Sequence, residues 1–107
     1  MSKPAEAQVE RYLKKEIEKL GGYCWKFVSP GAAGVPDRII LLPGGRVVFA
    51  ELKAPGQKPK KIQVKIQDGI REMGLPVFGC VDSYAAADEV VEFCKEVLGY
   101  GCSNMEN

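Results

Sequence analysis

Three ionisable residues near the middle of the chain have the types and spacing needed to form a site for a divalent cation. They are Asp37, Glu51 and Lys53. Asp37 precedes one apolar run, and Glu51 and Lys53 follow the next. The two runs are separated by Pro43-Gly44-Gly45, so this stretch predicts a β-hairpin with the charged residues at its open end.

The length of the hairpin loop decides whether these residues meet. With a three-residue loop, Leu42 pairs with Arg46 and Asp37 falls opposite Glu51. Side chains alternate along a strand, so Glu51 and Lys53 share a face with Asp37. Opposed residues have Cβ atoms roughly 4.5–5.5 Å apart, which lets two carboxylates share one divalent cation. A loop of two glycines alone would shift the register and turn Asp37 to the other face.

A purely structural interpretation of the triplet is that Asp37 or Glu51 simply pairs with Lys53. Two acids and one lysine would then leave one negative charge unbalanced unless a cation is present. The charge count therefore favours a metal site over an ion pair.

The remaining pattern predicts the element order α-β-β-β-α-β-α. Apolar residues recur at helical spacing in three segments, at 4–20, 60–73 and 84–98. Strands are expected at 23–28, in the hairpin and at 76–81. Both faces of the hairpin are apolar, which predicts an α/β structure with helices on both sides of the sheet. Trp25 is expected in the core, with base stacking as the less favoured interpretation. The second helix is expected to point four side chains inward: Ile62, Ile66, Ile70 and Met73.

Bulk properties narrow the class of protein. The chain has 107 residues, 46% hydrophobic residues and a net charge of +1. We expect one domain at 1–98, a flexible tail at 99–107 and no strong overall attraction to nucleic acid. No apolar run approaches the ~18 residues of a membrane span, and the charged start is unlike a secretory signal.

The cysteines indicate neither zinc nor an exported protein. There is no histidine and no C-x-x-C spacing among Cys24, Cys80, Cys94 and Cys102. Four scattered cysteines without an export signal are typical of reduced, mostly buried thiols in a cytoplasm.

Three weaker signals each have two interpretations. The small residues at 29–36 form an ordinary turn or admit a DNA backbone. A group of lysines either forms a solvated face or binds phosphates. They are Lys53, Lys58, Lys60, Lys61 and Lys65. Glu6 and Glu10 lie one helical turn apart. They are either solvated residues whose charges stabilise the start of the first helix or acids with a functional role.

The sequence also contains a series of single residues and short motifs in a recognisable order. They are Glu6, Trp25-Lys26, Ser29-Pro30-Gly31, Gly34-Val35-Pro36-Asp37, Leu42-Pro43-Gly44-Gly45, Glu51-Leu52-Lys53-Ala54-Pro55-Gly56 and Gln63. In this combination, over about residues 4–98, the chain resembles the VRR-NUC (virus-type replication-repair nuclease) domain of the PD-(D/E)XK nuclease superfamily.

The resemblance implies a restriction-endonuclease-like core and a metal-dependent active site. Asp37, Glu51 and Lys53 would be catalytic. The ligands of Mg²⁺ or Mn²⁺ would be Glu6, Asp37, Glu51 and the main-chain carbonyl of Leu52, with Glu10 as the alternative to Glu6. Gln63 would support the site from the second helix. DNA contacts are expected from Lys26, Ser29, Gly31, Gly34, Lys58, Lys60 and Lys61.

The expected reaction is hydrolysis of a DNA phosphodiester, leaving a 5′-phosphate and a 3′-hydroxyl. Stand-alone domains that this chain resembles are phage or bacterial homodimers that act on four-way junctions. We therefore expect a homodimeric Holliday-junction endonuclease in the bacterial cytoplasm, encoded by the host or by a phage. The alternatives are a non-catalytic DNA-binding or assembly module, and a nuclease subunit that needs a partner for flap or single-strand substrates.

Overall fold

A computed structural model describes residues 5–99, and within them three helices and four strands follow the predicted order. They are α1 (Glu6–Lys19), β1 (Tyr23–Lys26), β2 (Arg38–Leu42), β3 (Arg46–Leu52), α2 (Lys61–Glu72), β4 (Val77–Val81) and α3 (Tyr84–Val97). The order α-β-β-β-α-β-α is therefore confirmed. Beyond Gly99, the predicted flexible tail lies outside the described residues, and so does Cys102.

The four strands form one mixed sheet in the order β1-β2-β3-β4. Strand β2 is antiparallel to both β1 and β3, and β4 runs parallel to β3. Leu42 pairs with Arg46, so the hairpin loop is Pro43-Gly44-Gly45 and the predicted register is confirmed. Gly44 and Gly45 have φ angles of 84° and 77°, values that residues with a Cβ rarely adopt.

The hydrophobic core lies between one face of the sheet and the helices α1 and α3. The sheet contributes alternate strand residues, and the helices contribute residues at helical spacing. The buried set includes Val9, Leu13, Ile17, Cys24, Ile40, Leu42, Val48, Ala50, Ala87, Val90 and Cys94. Ser83 caps α3 by accepting a hydrogen bond from the amide of Ala86 at 3.1 Å, a role that serine favours at the start of a helix.

Helix α2 lies on the opposite face of the sheet, against β4. Phe78 packs edge-to-face on Phe93 of α3 with ring centroids 5.5 Å apart. The next residue, Gly79, meets Gln67 of α2 so closely that an added Cβ would lie 2.3 Å from its Oε1 atom. Adjacent strand residues point to opposite faces, so α2 and α3 enclose β4 from two sides.

A β-bulge interrupts the pairing of β3 with β4. Ala50 pairs with Phe78 and Leu52 pairs with Val81. An advance of two residues along β3 therefore corresponds to an advance of three residues along β4. The extra residue keeps both Phe78 and Val81 on the core side. This bulge lies beside the end of β3 that carries Glu51.

Helix α2 covers only part of its face, and the expected burial is wrong for three side chains. Trp25 is 49% exposed rather than in the core. Met73 and Ile62 are 85% and 44% exposed rather than facing inward, whereas Gln67 is the buried residue of α2. The half of the face formed by β1 and β2 has no helix over it within residues 5–99.

Two further properties bear on the class of protein. None of the helices within residues 5–99 is long and apolar enough to cross a membrane. Cys24, Cys80 and Cys94 are free thiols. Burial raises the pKa of Cys24 to about 11 and that of Cys94 to about 12, so both thiols stay protonated and unreactive at neutral pH.

Candidate active site

Asp37 and Glu51 meet at the open end of the hairpin, where each carboxylate accepts a hydrogen bond from a backbone amide of the opposite segment. The amide of Asp37 donates to Oε1 of Glu51 at 3.1 Å. The amide of Leu52 donates to Oδ1 of Asp37, also at 3.1 Å. Both bonds follow from the register set by the loop, because Arg38 pairs with Ala50 and the next pair outward is Asp37 with Glu51.

Lys53 lies on the same face, with its ammonium group fixed between two partners. Its Nζ atom is 3.4 Å from Oε2 of Glu51 and 2.8 Å from Oε1 of Gln63. Gln63 in turn donates from Nε2 to Oε2 of Glu51 at 3.1 Å. The three side chains form a closed hydrogen-bonded triangle.

Gln63 holds this position because it also starts helix α2. Its Oε1 atom accepts a hydrogen bond from the amide of Lys60 at 2.8 Å, which satisfies one of the amides that a helix start leaves unpaired. The oxygen that caps the helix is thus the one that binds Lys53. These contacts place Gln63 beside Lys53 and Glu51, and its supporting role in the site stays a prediction.

Solvent reaches the two carboxylates unequally. The side chain of Asp37 is 36% exposed and that of Glu51 is 7% exposed. Burial, and then the neighbouring charge of Asp37, raise the pKa of Glu51 above its ordinary value, while Lys53 acts in the opposite direction. The protonated form of Glu51 is therefore favoured more than in a solvent-exposed glutamate.

The residues present fit a divalent cation with oxygen ligands. No hydrogen bond or ion pair among residues 5–99 uses Oδ2 of Asp37, which leaves that atom free at the exposed side. Carboxylate and carbonyl oxygens are the ligands of Mg²⁺ and Mn²⁺, and a cation would relieve the repulsion that raises the pKa of Glu51. Asp37, Glu51 and the carbonyl of Leu52 are the candidate ligands.

No third acidic side chain joins this pair. Within residues 5–99, no group of three or more His, Cys, Asp or Glu side chains lies close enough to hold a metal ion. Glu10 is instead paired with Arg38, and no hydrogen bond of the Glu6 carboxylate occurs in the described part of the chain. The role of Glu6 as a ligand stays a prediction.

Sequence reasoning missed the buried Arg38. This side chain is 8% exposed and points toward α1, where its Nε and Nη2 atoms both lie 2.9 Å from Oε2 of Glu10. Its Nη1 atom donates to the carbonyl oxygen of Asp37 at 2.9 Å and is 3.4 Å from Oδ1 of the same residue. Arg38 thus ties the backbone and carboxylate of Asp37 to helix α1.

The expected DNA contacts are spread around this end of the sheet. Lys58, Lys60 and Lys61 are exposed where α2 begins. Gly31, in the loop between β1 and β2, is also exposed. Ser29 is half-buried. Lys26 pairs with Arg38, so its side chain leaves β1 on the face opposite Asp37.

Gly34 has a close neighbour within the protein itself. Its φ angle is 85°, and an added Cβ would lie 2.8 Å from the carbonyl oxygen of Ile62. The absence of a side chain therefore lets the loop pack against the start of α2. No atom lies within 4 Å of the corresponding position at Gly31.

One groove of the protein is remote from these residues. A cavity of about 330 Å³ lies beside the hairpin turn, at the other end of the sheet. Arg46, Leu75 and Phe93 are among the residues that line it, and it contains none of the candidate site residues. A phosphate backbone needs an open cleft more than a deep pocket, so the carboxylate pair remains the better candidate site.

Comparison with known proteins agrees with this geometry. No family model matches the sequence. The chain is 50% identical over 60 residues to a protein described as "Putative nuclease p44" from Acyrthosiphon pisum secondary endosymbiont phage 1. That match covers 56% of this chain and 64% of the relative, which is less than two thirds of its length.

A solved structure gives the more extensive match. It is described as a VRR_NUC domain and superposes with a TM-score of 0.74 at 33% identity. The alignment covers 81% of this chain and 94% of the solved one. With this identity and this coverage, the chain belongs to the VRR_NUC domain family.

Proposed function

We propose that this protein is a metal-dependent DNA endonuclease that selects its substrate by structure and cuts branched DNA as a homodimer. The observation that carries the proposal is the pair of carboxylates, Asp37 and Glu51, fixed by reciprocal hydrogen bonds with Lys53 beside them. The phage relative described as a nuclease supports the same activity.

The metal would be Mg²⁺ or Mn²⁺, held by Asp37, Glu51 and the carbonyl of Leu52, with Glu6 as the further ligand predicted from the family motif. When bound, such a cation supplies positive charge to the phosphate and makes water more acidic. The buried Glu51 gives the site its negative charge, and the exposed Asp37 provides the open side from which a phosphate enters.

The chain's own residues then orient the reaction. Lys53 is held by Gln63 and Glu51 so that its ammonium group positions the attacking water or neutralises charge that develops on the phosphate. The water oxygen adds to phosphorus as the bond to the 3′ oxygen breaks. The products are a 5′-phosphate and a 3′-hydroxyl.

The substrate proposal rests on the symmetry that a homodimer would have. A homodimer would present two sites related by a twofold axis, which suits the paired strands of a four-way junction. Shape rather than base sequence would then be read, with Lys58, Lys60 and Lys61 contacting phosphates.

The test uses purified protein with end-labelled four-way junction, flap, single-stranded and linear duplex DNA. Each substrate is incubated with Mg²⁺, Mn²⁺ or EDTA, and Lys53→Ala is compared with Lys15→Ala, an exposed lysine of α1. We expect paired symmetric nicks on the junction, lost in EDTA and in Lys53→Ala but kept in Lys15→Ala.

Other outcomes revise the proposal in defined ways. Cleavage of flaps or single strands alone would keep the metal mechanism and reject junction resolution. Tight DNA binding without cleavage under any metal would favour a non-catalytic binding module. Neither binding nor cleavage would favour a subunit that needs a partner.

A further inference from the structure

Two exposed aromatic rings lie on the same face of the sheet as the candidate active site. Trp25 pairs with Ile39, and Ile39 pairs with Phe49. Counting two residues along β2 from Ile39 leads to Asp37, so Trp25 and Asp37 share a face. Tyr23 is two residues further along β1, and the two rings are 55% and 49% exposed.

The two rings are close to the carboxylates and to each other. Phe27 lies level with Asp37, since its amide donates to the Asp37 carbonyl oxygen at 2.9 Å. A strand rises about 3.4 Å per residue. Measured along the strand direction, Trp25 therefore lies about 7 Å and Tyr23 about 14 Å from Asp37. Their rings stack with centroids 4.8 Å apart and an interplanar angle of 22°.

Positive charge flanks the other side of the site. Lys58, Lys60, Lys61 and Lys65 are all exposed along the loop before α2 and its first turns. Exposed aromatic rings beside a basic surface are the combination with which proteins hold single-stranded nucleic acid, because bases stack on the rings while the lysines attract the phosphates.

We propose that Tyr23 and Trp25 form a stacking platform for unpaired bases next to the scissile phosphate. The substrate class is then DNA with unpaired nucleotides beside the cut, such as a flap, a gap or an opened junction. The inference rests on the proposed function, because it refines the substrate of the same site.

A second copy of the chain is the competing occupant of this face. A protein partner seated on Trp25 would stand within about 7 Å of the level of Asp37 and would obstruct the open side of the carboxylates. A nucleic acid strand that lies across Trp25 would instead bring its own phosphates to the two carboxylates. Proximity to the site therefore favours DNA.

Trp25 is the only tryptophan in the chain, so its fluorescence reports directly on this surface. Wild-type protein in EDTA, where no cleavage is expected, is titrated with a single-stranded oligonucleotide, a flap and a blunt duplex. Fluorescence anisotropy of labelled DNA follows binding in the same samples. We expect the single strand and the flap to quench Trp25 and the duplex to leave it nearly unchanged.

Variants separate stacking from general effects. Trp25→Val and Tyr23→Val keep β-forming residues on β1 and remove the rings, while Trp25→Phe keeps a ring. Tyr84→Ala is the matched control, because Tyr84 is an exposed aromatic residue that packs on Tyr12 on the other side of the molecule. Trp25→Val should weaken single-strand binding by roughly 5- to 100-fold, with Trp25→Phe intermediate and Tyr84→Ala unchanged.

Several results would overturn the platform. They are DNA binding without quenching, equal quenching by blunt duplex, and equal loss of binding in Tyr84→Ala. A DNA-free dimer in which Trp25 is shielded from acrylamide, and which Trp25→Val converts to monomer, would assign the face to self-association instead. Quenching without any cleavage in Mg²⁺ would leave the platform standing and reject the nuclease, so the two proposals fail separately.

Discussion

The amide of Asp37 donates a 3.1 Å hydrogen bond to the Glu51 carboxylate across a separation of 14 residues. Together with the reciprocal bond from Leu52 to Asp37, it fixes both carboxylates through the backbone of the hairpin. The geometry of the candidate site is therefore a property of the sheet, and it is present before any metal or DNA binds.

The first prediction concerns pH. The pKa of Glu51 is raised in the folded protein above its ordinary value of 4.5, so the folded state holds this proton more tightly than the unfolded state. The stabilisation that results is fully present below about pH 4.5 and is lost as the pH rises through the folded pKa. Without metal, the unfolding free energy of wild type relative to Glu51→Gln should therefore fall between pH 4.5 and 7.5.

Urea titrations of both proteins in EDTA across this range measure the difference. At pH 7.5, Mg²⁺ at 100 times its dissociation constant should restore about 2.7 kcal/mol to wild type and much less to Glu51→Gln. A difference that stays flat with pH would contradict the assignment of the buried charge to Glu51.

The second prediction separates the two acids of α1. Glu10→Gln removes the charged partner of the buried Arg38 and should cost about 2 kcal/mol, which lowers the Tm by roughly 10 °C. Glu6→Gln should leave the Tm nearly unchanged and reduce cleavage, because Glu6 is the predicted metal ligand. Differential scanning calorimetry and cleavage assays on both variants test this, and the reverse pattern would make Glu10 the ligand.

The third prediction concerns Gln63. Gln63→Leu removes the bonds to Lys53, Glu51 and the amide of Lys60 while keeping the side-chain size. Residues that orient an active site in this way typically contribute 10- to 100-fold to activity, so kcat should fall by about that factor with little change in KM. Gln57→Leu, an exposed glutamine of the preceding loop, is the control, and equal losses in both would refute a positioning role.

The fourth prediction contrasts two apolar side chains. Leu13 of α1 is fully buried, so Leu13→Ala should cost about 2–5 kcal/mol through lost contacts and a cavity. Met73 lies in solvent, and Met73→Ala should change stability by less than about 0.5 kcal/mol. Urea denaturation with an unchanged slope measures both, and a large cost for Met73→Ala would indicate that a partner or second copy covers it.

The meeting of Asp37 with Glu51 could be predicted from the sequence because it depends on local information. Pro43-Gly44-Gly45 sets the loop length, the loop sets the register, and the register decides which side chains oppose each other. Each of these steps involves residues within one hairpin. The same locality explains why the helix and strand order was predicted correctly.

The exposure of Trp25 could not be predicted in the same way. Alternation along a strand tells which residues share a face, but coverage of that face depends on where a distant helix lies. Helix α2 packs over β4 and leaves β1 open, a placement that no periodicity in the strands encodes. The exposure of Met73 has the same origin.

Arg38 left a signal in the sequence that could have been used. It shares its strand face with Ile40 and Leu42, which were expected to be apolar neighbours on one side of the hairpin. A charged residue in line with buried residues needs a partner of opposite charge. The acidic residues of the first helix could supply that partner. The identity of that partner as Glu10 depends on how α1 crosses the sheet, which the sequence alone does not indicate.

The close approach of Gly34 to the carbonyl oxygen of Ile62 sets the spacing of two parts of the candidate site. Gly34 is three residues before Asp37, and Ile62 is next to Gln63, so one backbone-to-backbone approach separates the segment that bears the aspartate from the helix that bears the glutamine. Because an added Cβ would lie 2.8 Å from that oxygen, a larger residue at position 34 would push the loop away from α2. A glycine outside the catalytic set therefore determines how far the aspartate lies from the glutamine.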